Sequence, residues 1–347
     1  MTKRTRYFML GSFAILVAGL CTGLVAYYGG LPTFATQGGP AELAYVPANA
    51  AVVAFADVRE VMDSDMRRRL TKVMPEADRG KGREEFQKIT GIDVERDIDH
   101  IVACMSPKAG DADKSDHGFV AFRGRFDAVK LEAMAREHGA IVEEYKGKRL
   151  VKIDPSKAHK EGGEARENLP HATNVPTMVL AFAEPGLVMF GDEQTVREAI
   201  DTASGAGASV TGNAELMNLV KDVDRDSNAW AVGRFDLLAN RAKLPSEISA
   251  QIPAIRWFAA SGRINGGMAG RLRAEARDEQ AAQNLRDVMN GLMALARMQA
   301  GSRPEVQTML QSLQLGGTGK TVEITFEIPA QLFDMFMPKA QPKGEAH

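Results

Sequence analysis

The stretch Gly118–Asp127, GFVAFRGRFD, has a near-copy at Ala229–Asp236, AWAVGRFD. In each, an apolar run short enough for a buried strand ends at a glycine, and Arg-Phe-Asp follows. Glycine lets the chain turn, phenylalanine can plug a core, and aspartate can cap a helix by accepting its first amides. Both places therefore read as strand, corner, helix. A hairpin and a further amphipathic helix follow each, so the chain is expected to duplicate a strand–helix–meander–helix unit.

Working outward, Ala51–Ala56 (AVVAFA) reads as a strand with Asp57 as the cap of the helix after it. That helix places Val61, Met62, Met66, Leu70 and Val73 on one face. Ile98–Met105 and Gly118–Arg123 read as paired strands across a polar loop. Tight turns are expected at Lys146-Gly147, Glu184-Pro185-Gly186 and Asn265-Gly266-Gly267, each joining two apolar runs. Thr321–Ile328 (TVEITFEI) alternates like a half-buried strand. Helices are expected at Asp127–His138, Thr195–Thr202, Ala214–Val223, Asp236–Ala242, Asp278–Gln299 and Ala330–Phe336. The fold class is α+β: antiparallel sheets with helices packed on one face, preceded by one transmembrane helix.

That last element comes from Tyr7–Tyr28, 22 residues without a charge. As a helix they reach about 33 Å, enough for a hydrocarbon core of roughly 30 Å. Lys3, Arg4 and Arg6 precede it, and the first acid is Glu42. The basic stub 1–6 is expected in the cytoplasm, which places the rest of the chain outside as a single-pass envelope protein. A cleaved signal peptide competes with this anchor, although its apolar region is normally about 7–15 residues. Thr33-Phe34-Ala35 is the small-x-small site nearby. Gly19-x-x-x-Gly23 has the spacing that lets two membrane helices approach, so a homodimer through this face is a further expectation.

Residues 29–46 are rich in glycine and proline and read as a flexible linker. The ectodomain is divided into halves at 47–203 and 204–337, with a disordered tail at 338–347. Residues 154–176 form a long polar excursion between two strands. The whole chain has 43 basic and 45 acidic residues, a net of −2. Setting aside the +3 stub leaves −5 on the exported part. Neither figure suits a general nucleic-acid binder.

Candidate chemistry is sparse. Asp222, Asp224, Asp226 and Asn228 alternate as the first oxygen ligands of a calcium loop do. Ser227 stands where such a loop needs glycine, Gly233 stands where it needs the bidentate glutamate, and a strand follows. A solvated turn is the reading preferred there; no cofactor is expected, and calcium is the one candidate. Asp93, Glu95, Asp97 and Asp99 read as solvated acids leading into a strand. Gly316–Thr321 (GGTGKT) lacks the P-loop's leading glycine, since position 314 is Gln, and runs into a strand. The six histidines, His100, His117, His138, His159, His171 and His347, show no ligand spacing and are expected at the surface. Cys104 reads as a small buried hydrophobe. Met289, Met293, Met298 and Met309 read as core filling, or else as the lining of an apolar groove.

The segment Tyr45–Asp57, YVPANAAVVAFAD, resembles the opening of a class of uncharacterised bacterial cell-envelope proteins with one N-terminal membrane helix and an exported domain of unknown function. The resemblance implies an exported location and assigns no catalytic residue. Two functional readings stand at this point. One is a non-enzymatic binding or scaffolding module; the other is an envelope hydrolase or other enzyme whose site assembles from scattered acidic residues.

Overall fold

The computed structural model describes residues 39–65, 67–68, 87, 92–106, 117–137, 139–153, 177–235, 255–300 and 304–329. The fold is α+β, built on one 12-stranded antiparallel sheet. Its strands are β1 (Val52–Asp57), β2 (Ile98–Ser106), β3 (His117–Gly124), β4 (Ile141–Tyr145), β5 (Lys148–Ile153), β6 (Met178–Glu184), β7 (Leu187–Asp192), β8 (Ala229–Arg234), β9 (Ile255–Ile264), β10 (Gly267–Ala276), β11 (Gln314–Gly316) and β12 (Thr321–Pro329). They lie in the order β11-β12-β10-β9-β8-β1-β2-β3-β7-β6-β5-β4. The two expected halves therefore share a sheet, joined where β1 pairs with β8 on one side and β2 on the other. Helices described in full are α1 (Val58–Met62), α2 (Val94–Asp97), α3 (Ala128–Glu137), α4 (Glu193–Ala203), α5 (Ala214–Lys221), α6 (Glu279–Ala300) and α7 (Pro304–Ser312).

Both GRFD corners are built alike. Gly124 stands opposite Ile98 and Gly233 opposite Val52, each at the start of a central strand. The next amide, Arg125 or Arg234, donates to the carbonyl just before that strand, Asp97 O at 2.6 Å or Ala51 O at 2.7 Å. A Cβ on either glycine would run into that same carbonyl. Glycine is needed here for the close approach of two backbones, since neither residue adopts positive φ. Asp127 caps α3, accepting the Lys130 amide at 3.0 Å. Asp236 and the helix expected after it lie outside the described residues.

The meanders that follow run in opposite directions. After the first corner the chain goes to the edge strand β4 and returns through β5 and β6, so that β7 pairs with β3. After the second, β9 pairs with β8 at once and β10 with β9; the chain then goes to the edge strand β11 and returns as β12, which pairs with β10. Turn chemistry fixes the hairpins. Lys146 and Gly147 both have positive φ, 49° and 74°, as a two-residue type I′ turn requires.

Helices cover both faces of the sheet, which corrects the expectation of one. Strand side chains alternate between faces, so the cross-strand register assigns each residue to a side. The first face carries Val53, Val102, Ala121, Met189 and Val232, all at most 1% exposed. It forms the main core with α4 and α5. The opposite face carries Ala274, Val322 and Ile324, and α6 packs there through Ala281, Ala282 and Leu285. The reason is periodicity: β12 is apolar at alternate positions, whereas β2, β3, β6 and β7 are apolar on both sides.

The expected linker also needs correction. Ala41–Tyr45 form a 3-10 turn in which Leu43 and Tyr45 are buried, and Val46 is buried after it. This strap lies on the first face against α4. The fold therefore begins before Pro47. Residues 7–28, the excursion 154–176 and the tail 338–347 lie outside the described residues; among those described, no helix is long and apolar enough to cross a membrane.

Candidate functional site

Among the described residues, a buried charged network lies under the strap. Cross-strand register sets Asp57 opposite His100 on β2, and His100 opposite Arg123 on β3. A carboxyl, an imidazole and a guanidinium thus form a row on the core face. Glu42 of the strap is lowered onto this row, with Oε2 3.0 Å from His100 Nε2 and Oε1 accepting Arg123 Nε at 2.6 Å. Arg123 reaches on to Glu184 at 3.4 Å, and Tyr45 donates its hydroxyl to Glu184 at 2.6 Å. Phe55 packs between His100 and Trp230, its ring centroid 5.6 Å and 5.7 Å from theirs.

The local fold explains how the strap reaches this position. Val46 O accepts the Val210 amide, and the Ala48 amide donates to Ala208 O, both at 2.8 Å. Ser209 Oγ donates to Leu43 O at 2.9 Å, and Asn213 Nδ2 to Ala48 O at 3.0 Å. The strap is thereby stitched to the connection between α4 and α5, where the two halves of the chain meet.

Titration follows from these contacts. Burial alone would raise Glu42, but the bond and charge of His100 and the bond from Arg123 outweigh it, bringing the carboxyl down to about 2. Asp57 behaves oppositely. Burial dominates, and the capping bond from the Glu60 amide offsets it only in part, so the carboxyl rises to about 6. Burial, then the bond to Glu184, raises the Tyr45 hydroxyl. Perturbed groups gathered in one place are the usual mark of a functional site, and buried structural networks give the same mark.

A second feature is an open pocket of about 430 Å³ lined by His117, Thr177, Asp192, Glu193, Gln194 and Arg197. Asp192 caps α4 through the Thr195 amide at 3.0 Å and hydroxyl at 2.6 Å, and also accepts the Gly118 amide at 3.0 Å. His117 Nδ1 lies 3.5 Å from Asp192 Oδ1. Ser106 is opposite His117 in the β2–β3 register. A serine, a histidine and an aspartate are thus adjacent, but Ser106 Oγ is sealed from solvent and makes no hydrogen bond. As placed, it is not set to attack a substrate in the pocket.

The residues singled out in the sequence go elsewhere. Asp222 pairs with Arg273 at 2.7 Å, Asp226 with Arg263 at 3.5 Å, and Asp224 accepts the Asp226 amide at 3.1 Å. Asn228 is buried and bonds both ways with the Ile264 backbone, at 2.8 and 3.0 Å. Among the described residues, no group of three His, Cys, Asp or Glu converges on a metal position. Asp93 caps α2, while Glu95 and Asp99 pair with Arg67 and Arg59. Gly316–Thr321 is the turn between β11 and β12. Cys104 is buried, which pushes its thiol up to about 12. Met298 is 79% exposed, contrary to a core-filling role, and Met289 is half-buried.

His100 and Glu42 were missed as site residues. A histidine in an otherwise apolar strand, Ile98–Met105, was the available signal for the first. Glu42, the first acid after a long uncharged stretch, offered none.

No protein-family model and no curated protein matches the chain. Among solved structures, crystal form I of TP0453 aligns over 85% of this chain and 95% of that one, with 9% identity and a TM-score of 0.42. A likeness at that level carries no functional argument.

Proposed function

We propose that this protein is a membrane-tethered binding or scaffolding module of the cell envelope. It is held by residues 7–28, its N-terminus is cytoplasmic and its folded part is exported. The observation that carries the binding reading is an exposed apolar ridge on the C-terminal half of α6. Leu292, Leu295 and Met298 are 42%, 49% and 79% exposed. Burying such side chains contributes roughly 1.5–3 kcal/mol each, so a ridge of this kind favours contact with another surface. The acids that a hydrolytic site would draw on, at 93–99 and 222–226, are instead engaged with arginines and backbone amides. Pairing of two copies through Gly19 and Gly23 remains part of the proposal.

Two experiments test it. Before any protease is added, the full-length chain should stay in the membrane fraction after alkaline extraction, and protease added to right-side-out vesicles should then reach its folded part; a shortened, soluble product without added protease would contradict the tether. A photo-crosslinking side chain placed at Leu295 in intact cells should give a discrete adduct, and one at Gln283 on the polar face should not. Equal behaviour at both positions would remove the binding reading and leave the tether untouched.

A further inference from the structure

We propose that Asn265, in the turn between β9 and β10, is a self-modification site that converts to an aspartyl or isoaspartyl link, while the fold holds back the same dipeptide elsewhere. The inference concerns the folded domain and rests on neither the tether nor the ridge. Asn-Gly occurs at Asn265-Gly266 and again at Asn290-Gly291. The chemistry open to both is the same. The backbone nitrogen of the glycine, once deprotonated, attacks the side-chain Cγ of the asparagine. The bond from Cγ to the side-chain nitrogen breaks, and ammonia leaves after taking up a proton. A five-membered succinimide remains, and water opens either of its carbonyls, giving aspartate or a backbone routed through the β-carbon. Water is the sole co-reactant. Glycine favours the attack because it has no Cβ to shield its nitrogen.

The two sites differ in backbone freedom. Gly266 is exposed at the hairpin tip, where an added Cβ would meet nothing within 4 Å. The Asn265 amide donates to Gly267 O at 3.1 Å, but among the described residues neither the Asn265 side chain nor the Gly266 amide makes a hydrogen bond. That nitrogen is free to approach Cγ. Gly291 lies inside α6, where the helical ladder ties its amide to the carbonyl four residues back. Ring closure there has to wait for local opening of the helix. Conversion at the tip also has a structural consequence. Ile264, just before it, pairs with Met268, exchanges two hydrogen bonds with Asn228 and packs on Val61. An isoaspartyl link adds a backbone carbon and a negative charge to the loop that closes this pair, which works against its register.

Peptide mass mapping of the full chain tests this, after incubation in mildly alkaline buffer and digestion with trypsin. Asn265 and Asn290 fall in separate peptides, Ile264–Arg271 and Asp287–Arg297. In the folded protein the acid products should form at Asn265 at least about tenfold faster than at Asn290, because an interior helical turn is open less than about a tenth of the time. In concentrated urea the two rates should converge. Gly266→Ala suits an open tip whose φ is not positive, and should slow conversion at Asn265 severalfold while leaving Asn290 unchanged. Equal rates at the two sites in the folded protein would overturn the inference. So would a difference that persists in urea, or an Asn265 that stays intact in the folded chain and converts only when the chain is denatured.

Discussion

The two ends of the sheet solve the same problem on opposite sides. From β3 to β4 the principal core lies on the strap face, under α4 and the strap. On β10 and β12 that face is polar, with Arg271 paired to Glu323 and Arg273 reaching Asp222, and the core lies behind it under α6. A continuous sheet can thus change the side on which it excludes water, because each strand needs only one covered face. The central strands β1 and β8 belong to both regimes. They carry Val53 and Val232 on the strap face, and Ala56 and Ala229 in a separate cluster behind.

The contrast can be strained first where burial is deepest. Phe119→Ala, in the larger core, should cost about 3–5 kcal/mol as the cavity term adds to lost transfer energy. Urea unfolding would show this as a lower midpoint at unchanged slope. Glu42→Ala should come next, at about 3 kcal/mol, because it leaves Arg123 and His100 facing a buried gap. The same group sets an acid limit. Its carboxyl is depressed, so its stabilising effect is present above the ordinary glutamate value of 4.5 and lost as pH falls through about 2. A Glu42→Gln variant should therefore lose less stability than wild type between pH 4.5 and the acid transition, read from urea midpoints across that range.

Leu285→Ala tests the other end of the sheet and should cost about 2–3 kcal/mol, since its cluster is smaller and closer to solvent. Arg271→Ala should change stability by less than about 0.5 kcal/mol. Its side chain is 45% exposed and its partner lies at 3.5 Å, the regime in which surface ion pairs contribute little. A large effect of Arg271→Ala would mean that the strap face of the second half is covered, and the comparison would fail.

What the sequence shows of this fold is its local part. Hairpin turns at Lys146-Gly147 and Asn265-Gly266, the caps at Asp57 and Asp127 and the alternating strand Thr321–Ile328 all follow from neighbouring residues, and all are present. The side of the sheet on which each helix rests was not legible, nor was the return of β7 to β3. Both are set by pairings between residues far apart in the chain. The ionic row was hidden for the same reason. His100 acquires its partners from positions 42, 57 and 123, and no spacing rule links those numbers. The duplicated GRFD corner was visible, yet the opposite threading of the strands after it was not.

The exchange of faces can be tested directly by thiol labelling of two alanine positions on the strap face, one from each half. Ala121, on β3, is 0% exposed, and Ala269, on β10, is exposed. Over the background of the native Cys21 and the buried Cys104, Ala269→Cys should react with a soluble maleimide about as fast as a free thiol, and Ala121→Cys only after unfolding. Similar rates at the two positions in the folded protein would contradict a core that changes sides along the sheet.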